Sequence, residues 1–380
     1  MHSPSPIGST VTPAESVHRI VKHMKDQGLD ALVASSPETT YYFVGARLLM
    51  QRLIPARESF VIVTGDGACM LITAASDVDH ALRDSTATTV VGYGNAEEPP
   101  EVLCRVLAEA GLASARIGVE STYMPIADLW TLRQKLPAVS LAAGDDAIRL
   151  ARMTKSPDEV ERLQRAEYLT EMAIQAAFAM SHEGDSERQM QLAVSLNLIR
   201  QGAEAVDFVL LQAAENSTKF HLPSGDYRCR AGDVIHLDTG ASFDCYRSDM
   251  SRNVGIRRLS QKQIDTYARL WDVQRDVIEC MKPGLTVREL CGRYLEFMGK
   301  VRLQPPSSYL GHGIGLSSHE YPEMTVDSDA VLIPGMVVTI EPTVFVRGDA
   351  RYDIEDTVVL TEKGGKMLAG GLNSSQIWIV

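Results

Sequence analysis

The feature that most constrains this chain is the placement of acids in its C-terminal half, where carboxylates stand inside or at the edge of strongly apolar runs. Glu341 closes the run MVVTI, Glu355 precedes TVVL, and Asp238 follows VIHL. A carboxylate in or at the end of a buried strand costs several kcal/mol unless it is paired or bound to a cation. Asp249 follows Asp238 by eleven residues, with Gly240 as a turn signal between them. A hairpin of that length returns the chain beside itself and brings both acids together. Taken alone, two acids in a chain with 49 Asp and Glu are more readily coincidence than a site. The segment LGHGIGLSSHEYP adds His312 between glycines, where a backbone can approach a ligand closely, and His319 beside Glu320. Four acids and a histidine need a common counter-charge, and two divalent cations supply it: four carboxylates balance four positive charges.

Composition bounds the rest. With 380 residues and 45% apolar content, the chain is long enough for two domains. A formal charge of −12 without a basic cluster excludes a nucleic-acid partner and leaves peptides or small molecules. Six cysteines without CxxC pairing, in a chain without a signal-type start, read as reduced thiols of a cytoplasmic protein. No run approaches the ~20 apolar residues of a membrane span, and residues 1–14 read as a disordered leader.

From Glu15 the text alternates. SVHRIVKHMKDQG reads as a helix closing on Gly28, LDALVAS as a strand, and SFVIVTGDGACMLIT as two strands around a Gly-Asp-Gly turn. TTVVGY and ARIGVE read as strands, with the helix EVLCRVLAEAG between them, which gives an α/β domain over residues 15–146. Residues 147–380 read as α+β. Pro157 and Glu159 mark a helix start. A second helix, strand-like runs around Asp238, two further helices and a last set of strands from Leu332 follow.

The order Asp238, Asp249, His312, Glu341, Glu355, with GHGIGL and the HE-P text around them, resembles the pita-bread metallohydrolases, the group of prolidase, aminopeptidase P, methionine aminopeptidase and creatinase. The resemblance implies a pita-bread catalytic domain over 147–380 behind a smaller creatinase-type α/β domain. It also implies a homodimer that hydrolyses a C–N amide bond in a peptide or small-molecule amide. In such enzymes the positions of Asp238, Asp249, His312, Glu341 and Glu355 hold two divalent metal ions, Asp249 and Glu355 bridging both. Glu341 lies between a ligand and a proton-handling role, and His221 and His319 position substrate and stabilise the tetrahedral intermediate. Carboxylates and one imidazole suit Mn²⁺ best, with Fe²⁺, Co²⁺ and Zn²⁺ as further occupants. His236, two residues before Asp238, reads equally as a supporting residue and as a packed core histidine.

Two positions depart from the prolidase pattern. Glu323 stands four residues after His319 and Asp353 two residues before Glu355, each where prolidase-like sequences carry arginine. If both face the pocket, they disfavour a substrate carboxylate and favour a cationic end; if not, arginines such as Arg347 or Arg351 take over that contact. A small-molecule hydrolase or lyase on the same scaffold, and a non-catalytic binding protein of the same fold, are the competing readings.

Overall fold

The computed structural model describes residues 13–54, 56–94, 97–220, 222–369 and 374–380; His221 and most of the 1–14 leader lie outside them. The chain divides into two compact units, Met1–Arg152 and Met153–Val380.

In the first unit the helix Pro13–Asp26 buries Ile20 and Met24 and ends ahead of Gly28, whose φ of 64° suits a residue without Cβ. Six strands follow: β1 (Ala31–Ala34), β2 (Phe60–Thr64), β3 (Cys69–Ala74), β4 (Thr89–Tyr93), β5 (Arg116–Val119) and β6 (Ser140–Ala143). They form one sheet in the order β4-β3-β2-β1-β5-β6. β1 sits inside that sheet and is buried on both faces, which is why ALVA is an unbroken apolar run and not an alternating one. The Gly-Asp-Gly segment joins β2 to β3 as the sequence predicts. Pro37–Val44 is a helix that its threonines and aromatics do not announce. Its start is set locally by Ser36, whose hydroxyl accepts the Thr39 amide at 3.1 Å.

The second unit opens with the helix Pro157–Phe178, capped reciprocally by Ser156 and Glu159 with Pro157 at its first position, as the sequence predicts. This helix and Glu187–Arg200 cover a sheet of β7 (Ala205–Ala213), β8 (Val234–Phe243), β9 (Tyr246–Arg247), β10 (Met250–Gly255) and the C-terminal Trp378–Ile379. Ile174, Phe178, Val194, Leu211 and Leu237 pack between them. A second sheet contains β11 (Gly311–Gly313), β12 (Glu320–Met324) and β13 (Val337–Ile340). A two-stranded ribbon, β14 (Thr343–Phe345) with β15 (Arg351–Asp353), comes next in the chain. β16 (Asp356–Thr361) and β17 (Gly364–Met367) complete the second sheet. The helices Gln261–Cys280 and Val287–Lys300 belong to its core, with Val277, Leu290, Tyr294, Val338 and Val358 fully or almost fully buried. Each such side chain contributes ~1.5–3 kcal/mol of burial, so both sheets are held by their apolar sides.

Candidate metal centre

Register delivers the acids. β8 runs on through Asp238 to Phe243, so Asp238 lies within its strand and not at the end that the apolar run implies. β10 returns antiparallel with Ser251 opposite Asp238 and Met250 opposite Thr239, and this sets Asp249 beside Asp238. In the other sheet the last pair of β13 and β16 is Ile340 with Asp356. Glu341 and Glu355 each stand one residue beyond that pair, and so beside each other.

His312 comes from β11. Its Nδ1 lies 2.9 Å from the Gly313 carbonyl, so an Nδ1–H donates there and Nε2 is left as an acceptor. Nε2 is 3.5 Å from Glu341 Oε1, 3.6 Å from Asp249 Oδ2 and 4.0 Å from Glu355 Oε1. The flanking glycines clear neighbouring backbone: a Cβ at Gly311 would run into the Thr339 carbonyl, and one at Gly313 would meet the Tyr321 carbonyl at 2.5 Å. Ligand-capable atoms within 4.8 Å of one another fall into sets of three: Asp238, Asp249 and Glu355; His312, Glu341 and Glu355; Asp249, His312 and His319.

The surroundings hold these groups without neutralising them. Thr339 Oγ1 accepts the His312 amide at 3.1 Å and donates to Glu341 Oε1 at 3.0 Å. Ser251 Oγ donates to Glu355 Oε2 at 3.1 Å. The Asp249 amide donates to Glu167 Oε1 at 3.2 Å, and Thr357 Oγ1 donates to the same oxygen at 2.6 Å. Asp238 Oδ1 is buried with no hydrogen-bond partner among the described residues. Burial raises the Asp238 carboxyl to about 7, and burial followed by the neighbouring acids pushes Asp249 and Glu355 well above the usual carboxylate range. Glu341 moves the same way, by burial first and then by Asp353 and Asp238. Burial, then His319, lowers His312 to about 4 and keeps its imidazole neutral. Asp249, Glu355 and His312 are buried while Asp238 and Glu341 are half-buried, so the cluster has one open side.

His319 is exposed and stacks on His312, with ring centroids 3.7 Å apart. Glu320, next to it, pairs with the buried Lys155 at 3.1 Å. His236 is buried with Nε2 3.5 Å from Asp353 Oδ2, and burial lowers it to about 4. Asp353 does not face a substrate pocket: it is fully buried, and Arg351 Nη2 donates to its carboxylate. That pairing holds Asp353 below the usual carboxylate range despite burial, and it leaves Arg351 committed to an internal acid. Glu323 is exposed on β12 opposite His312.

Sequence reading passed over Glu167, Thr339 and Ser251, and it offered Arg351 only as a contact for a substrate carboxylate, whereas Arg351 pairs with the buried Asp353. Glu167 had a signal, since it shares the buried face of its helix with Leu163, Ala166, Thr170 and Ile174. Burial raises it to about 8.

Buried, mutually repelling carboxylates and a neutral imidazole, open on one side, are a set that could hold metal ions, in a chain that also carries a separate mixed α/β unit. Residues 161–362 match Metallopeptidase family M24 and residues 17–154 match the creatinase/prolidase N-terminal domain. The chain belongs to metallopeptidase family M24. It is 28% identical over 357 residues to the Xaa-Pro dipeptidase of Pyrococcus furiosus, covering 93% of this chain and 97% of that one. The P. furiosus prolidase structure superposes with a TM-score of 0.80 at 27% identity, covering 93% of this chain and all of that one. A dipeptidase of Pyrococcus horikoshii shares the fold at a TM-score of 0.86 and 24% identity, over 96% of this chain and 100% of that one. An X-Pro aminopeptidase of Thermotoga maritima does so at 0.82 and 22%, over 96% and 99%.

Proposed function

We propose that the protein is an Xaa-Pro dipeptidase whose two divalent ions are held by Asp238, Asp249, His312, Glu341 and Glu355. The observation that carries this reading is the pair of ligand triads that share Glu355, one completed by Asp238 and Asp249 and the other by His312 and Glu341. The residues fit such ions: the donors are carboxylate and imidazole, Asp238 Oδ1 lacks a hydrogen bond among the described residues, and burial penalises every charge that a cation would relieve. Mn²⁺ is the occupant we propose. When bound, such a pair supplies an activated water and polarises the substrate carbonyl.

The chain's own residues do the rest. Glu355 belongs to both triads, and Asp249 belongs to the first and lies 3.6 Å from His312 of the second, so these two carboxylates would be the ones shared between the ions when metal is bound. Glu341, half-buried and held through one oxygen by Thr339, is placed to pass a proton to the leaving nitrogen. His319, exposed over the ring of His312, and His221 donate to the developing oxyanion. The relatives' printed activities favour a dipeptide over the small-molecule lyase and non-catalytic alternatives. With Asp353 internal, the argument for a cationic substrate rests on Glu323 alone. A homodimer and a cytoplasmic location belong to the same proposal; no helix among the described residues is long and apolar enough to cross a membrane.

The test is hydrolysis by the Mn²⁺-loaded protein of Xaa-Pro dipeptides, longer peptides with proline second, and small cationic amides. Chelator-sensitive turnover highest on the dipeptides supports the reading, and turnover confined to the cationic amides overturns it.

A further inference from the structure

We infer that Glu167 is a positioning residue of the metal centre, latching the backbone of Asp249 to the strand that follows Glu355; the inference rests on the reading above. The helix Pro157–Phe178 turns Leu163, Ala166, Thr170 and Ile174 inward, and Glu167 is fully buried on the same face. A carboxyl group is costly to bury on such a face, and its partners account for it. Its Oε1 accepts the Asp249 amide at 3.2 Å and the Thr357 hydroxyl at 2.6 Å. The pairing of β10 with β8 begins at Met250, so the Asp249 amide lies just outside that ladder and Glu167 supplies its acceptor. Thr357 lies in β16, two residues after Glu355 and opposite Thr339, whose hydroxyl holds Glu341. One oxygen atom thus ties a segment of the first sheet to a strand of the second.

A second tie fixes the same stretch of chain. Thr170, three residues further along the same helix face, has its hydroxyl 2.6 Å from that of Ser248, and the Ser248 hydroxyl accepts the Ala241 amide at 3.1 Å. The residue before Asp249 is therefore held from the helix and from β8 together. Glu167 Oε2 is buried without a hydrogen-bond partner among the described residues, so the latch works through Oε1. Groups that act together at a site have to be held within ~0.5 Å of their productive places. Asp249 and Glu355, the two carboxylates proposed to be shared between the ions, arrive from different sheets, one just before β10 and the other just before β16. Glu167 joins those sheets next to both.

The experiment compares the full chain as wild type with three variants: Glu167→Gln, which keeps an acceptor oxygen; Glu167→Met, which removes it at similar volume; and Ile174→Val, which thins the same buried helix face elsewhere. In metal-free protein, hydrogen exchange at the Asp249 amide should be at least ~10-fold faster in Glu167→Met and within ~3-fold of wild type in the other two, because the amide loses its acceptor only in the first. Titration with Mn²⁺ should give a Kd raised ~10-fold in Glu167→Met and little changed in Glu167→Gln and Ile174→Val. At saturating Mn²⁺, Glu167→Met should lower kcat by ~10-fold and leave KM within ~2-fold. Unchanged exchange at Asp249 in Glu167→Met overturns the latch, and so does equal damage in Glu167→Met and Glu167→Gln. Faster exchange with unchanged Mn²⁺ affinity overturns its link to the metal centre. If wild type binds Mn²⁺ but hydrolyses no Xaa-Pro dipeptide, the proposed substrate fails, and the exchange and Mn²⁺ arms still decide the inference; if it binds no Mn²⁺, both readings fall.

Discussion

Glu120 in the first unit and the acids of the second are all drawn out of water, and their surroundings differ in kind. Glu120 Oε2 accepts the Ser35 and Ser36 amides at 2.8 Å each, and its Oε1 accepts the Ser36 and Thr39 hydroxyls at 2.7 and 2.6 Å. The fold completes that carboxylate with its own donors at the start of the helix Pro37–Val44. In the second unit the carboxylates face one another and a neutral imidazole, and Asp238 Oδ1 has no donor among the described residues. A buried acid whose donors are supplied is structural. The four clustered acids, each with few donors and close to the others, have the makings of a cation site.

The largest expected effect breaks the comparison outright. Asp249→Ala and Glu355→Ala should each release metal and lower turnover by at least ~10³-fold, about 4 kcal/mol of transition-state stabilisation. Glu120→Gln should keep metal and turnover and lose ~1–3 kcal/mol of stability to denaturant. Metal analysis with steady-state kinetics reads both, and a bridge variant with full metal content would make the bridging assignment wrong.

Next in size are the histidines. His319→Ala and His221→Ala should lower kcat by ~10² while metal content stays intact. His319 is near enough to Asp249 and His312 to ligate, so loss of metal from its alanine variant would move it into the coordination shell.

Glu323→Arg sharpens the specificity argument. The residue is exposed on the strand that carries the His319 loop; burial lowers the His319 imidazole, and the Glu323 carboxylate opposes that shift. An arginine there should shift kcat/KM toward Xaa-Pro dipeptides, relative to substrates with a blocked or cationic end, by ~10-fold, about 1.4 kcal/mol. An unchanged preference would remove Glu323 from substrate recognition.

The smallest effect is read without substrate. Asp238 is raised to about 7 and Glu167 to about 8, with Asp249, Glu341 and Glu355 raised as well. Folded metal-free protein therefore binds more protons than unfolded protein above the ordinary carboxylate range. Stability present below that range is lost as pH rises through the folded values. Its Tm should drop by several degrees between about pH 6.5 and about pH 8, above the range in which the lowered His312 and His236 oppose the trend, and Mn²⁺ should flatten the slope. A metal-free Tm that rises over that window would contradict the burial argument.

The sequence carried the acids and His312 plainly because each sits against an apolar run or between glycines, and such a run is legible without coordinates. It did not carry the packing reason for the glycines, since the approach of the Thr339 and Tyr321 carbonyls depends on strand neighbours elsewhere in the chain. The helix Pro37–Val44 was hidden because Ser36, Pro37 and the distant Glu120 set it against the preference of its own residues. Asp353 misled for a similar reason: its partner Arg351 lies two residues away on the same face of β15, a relation visible only once that segment is known to be a strand.

The most direct test of the central claim is a metal titration of chelator-stripped protein by calorimetry, with bound metal counted by elemental analysis and the same count made on Asp238→Asn and His312→Ala. The account predicts two ions per chain in wild type and one in each variant, because each substitution opens one triad and leaves the other. Full activity with no metal, or both ions lost or both retained in the two variants alike, would contradict it.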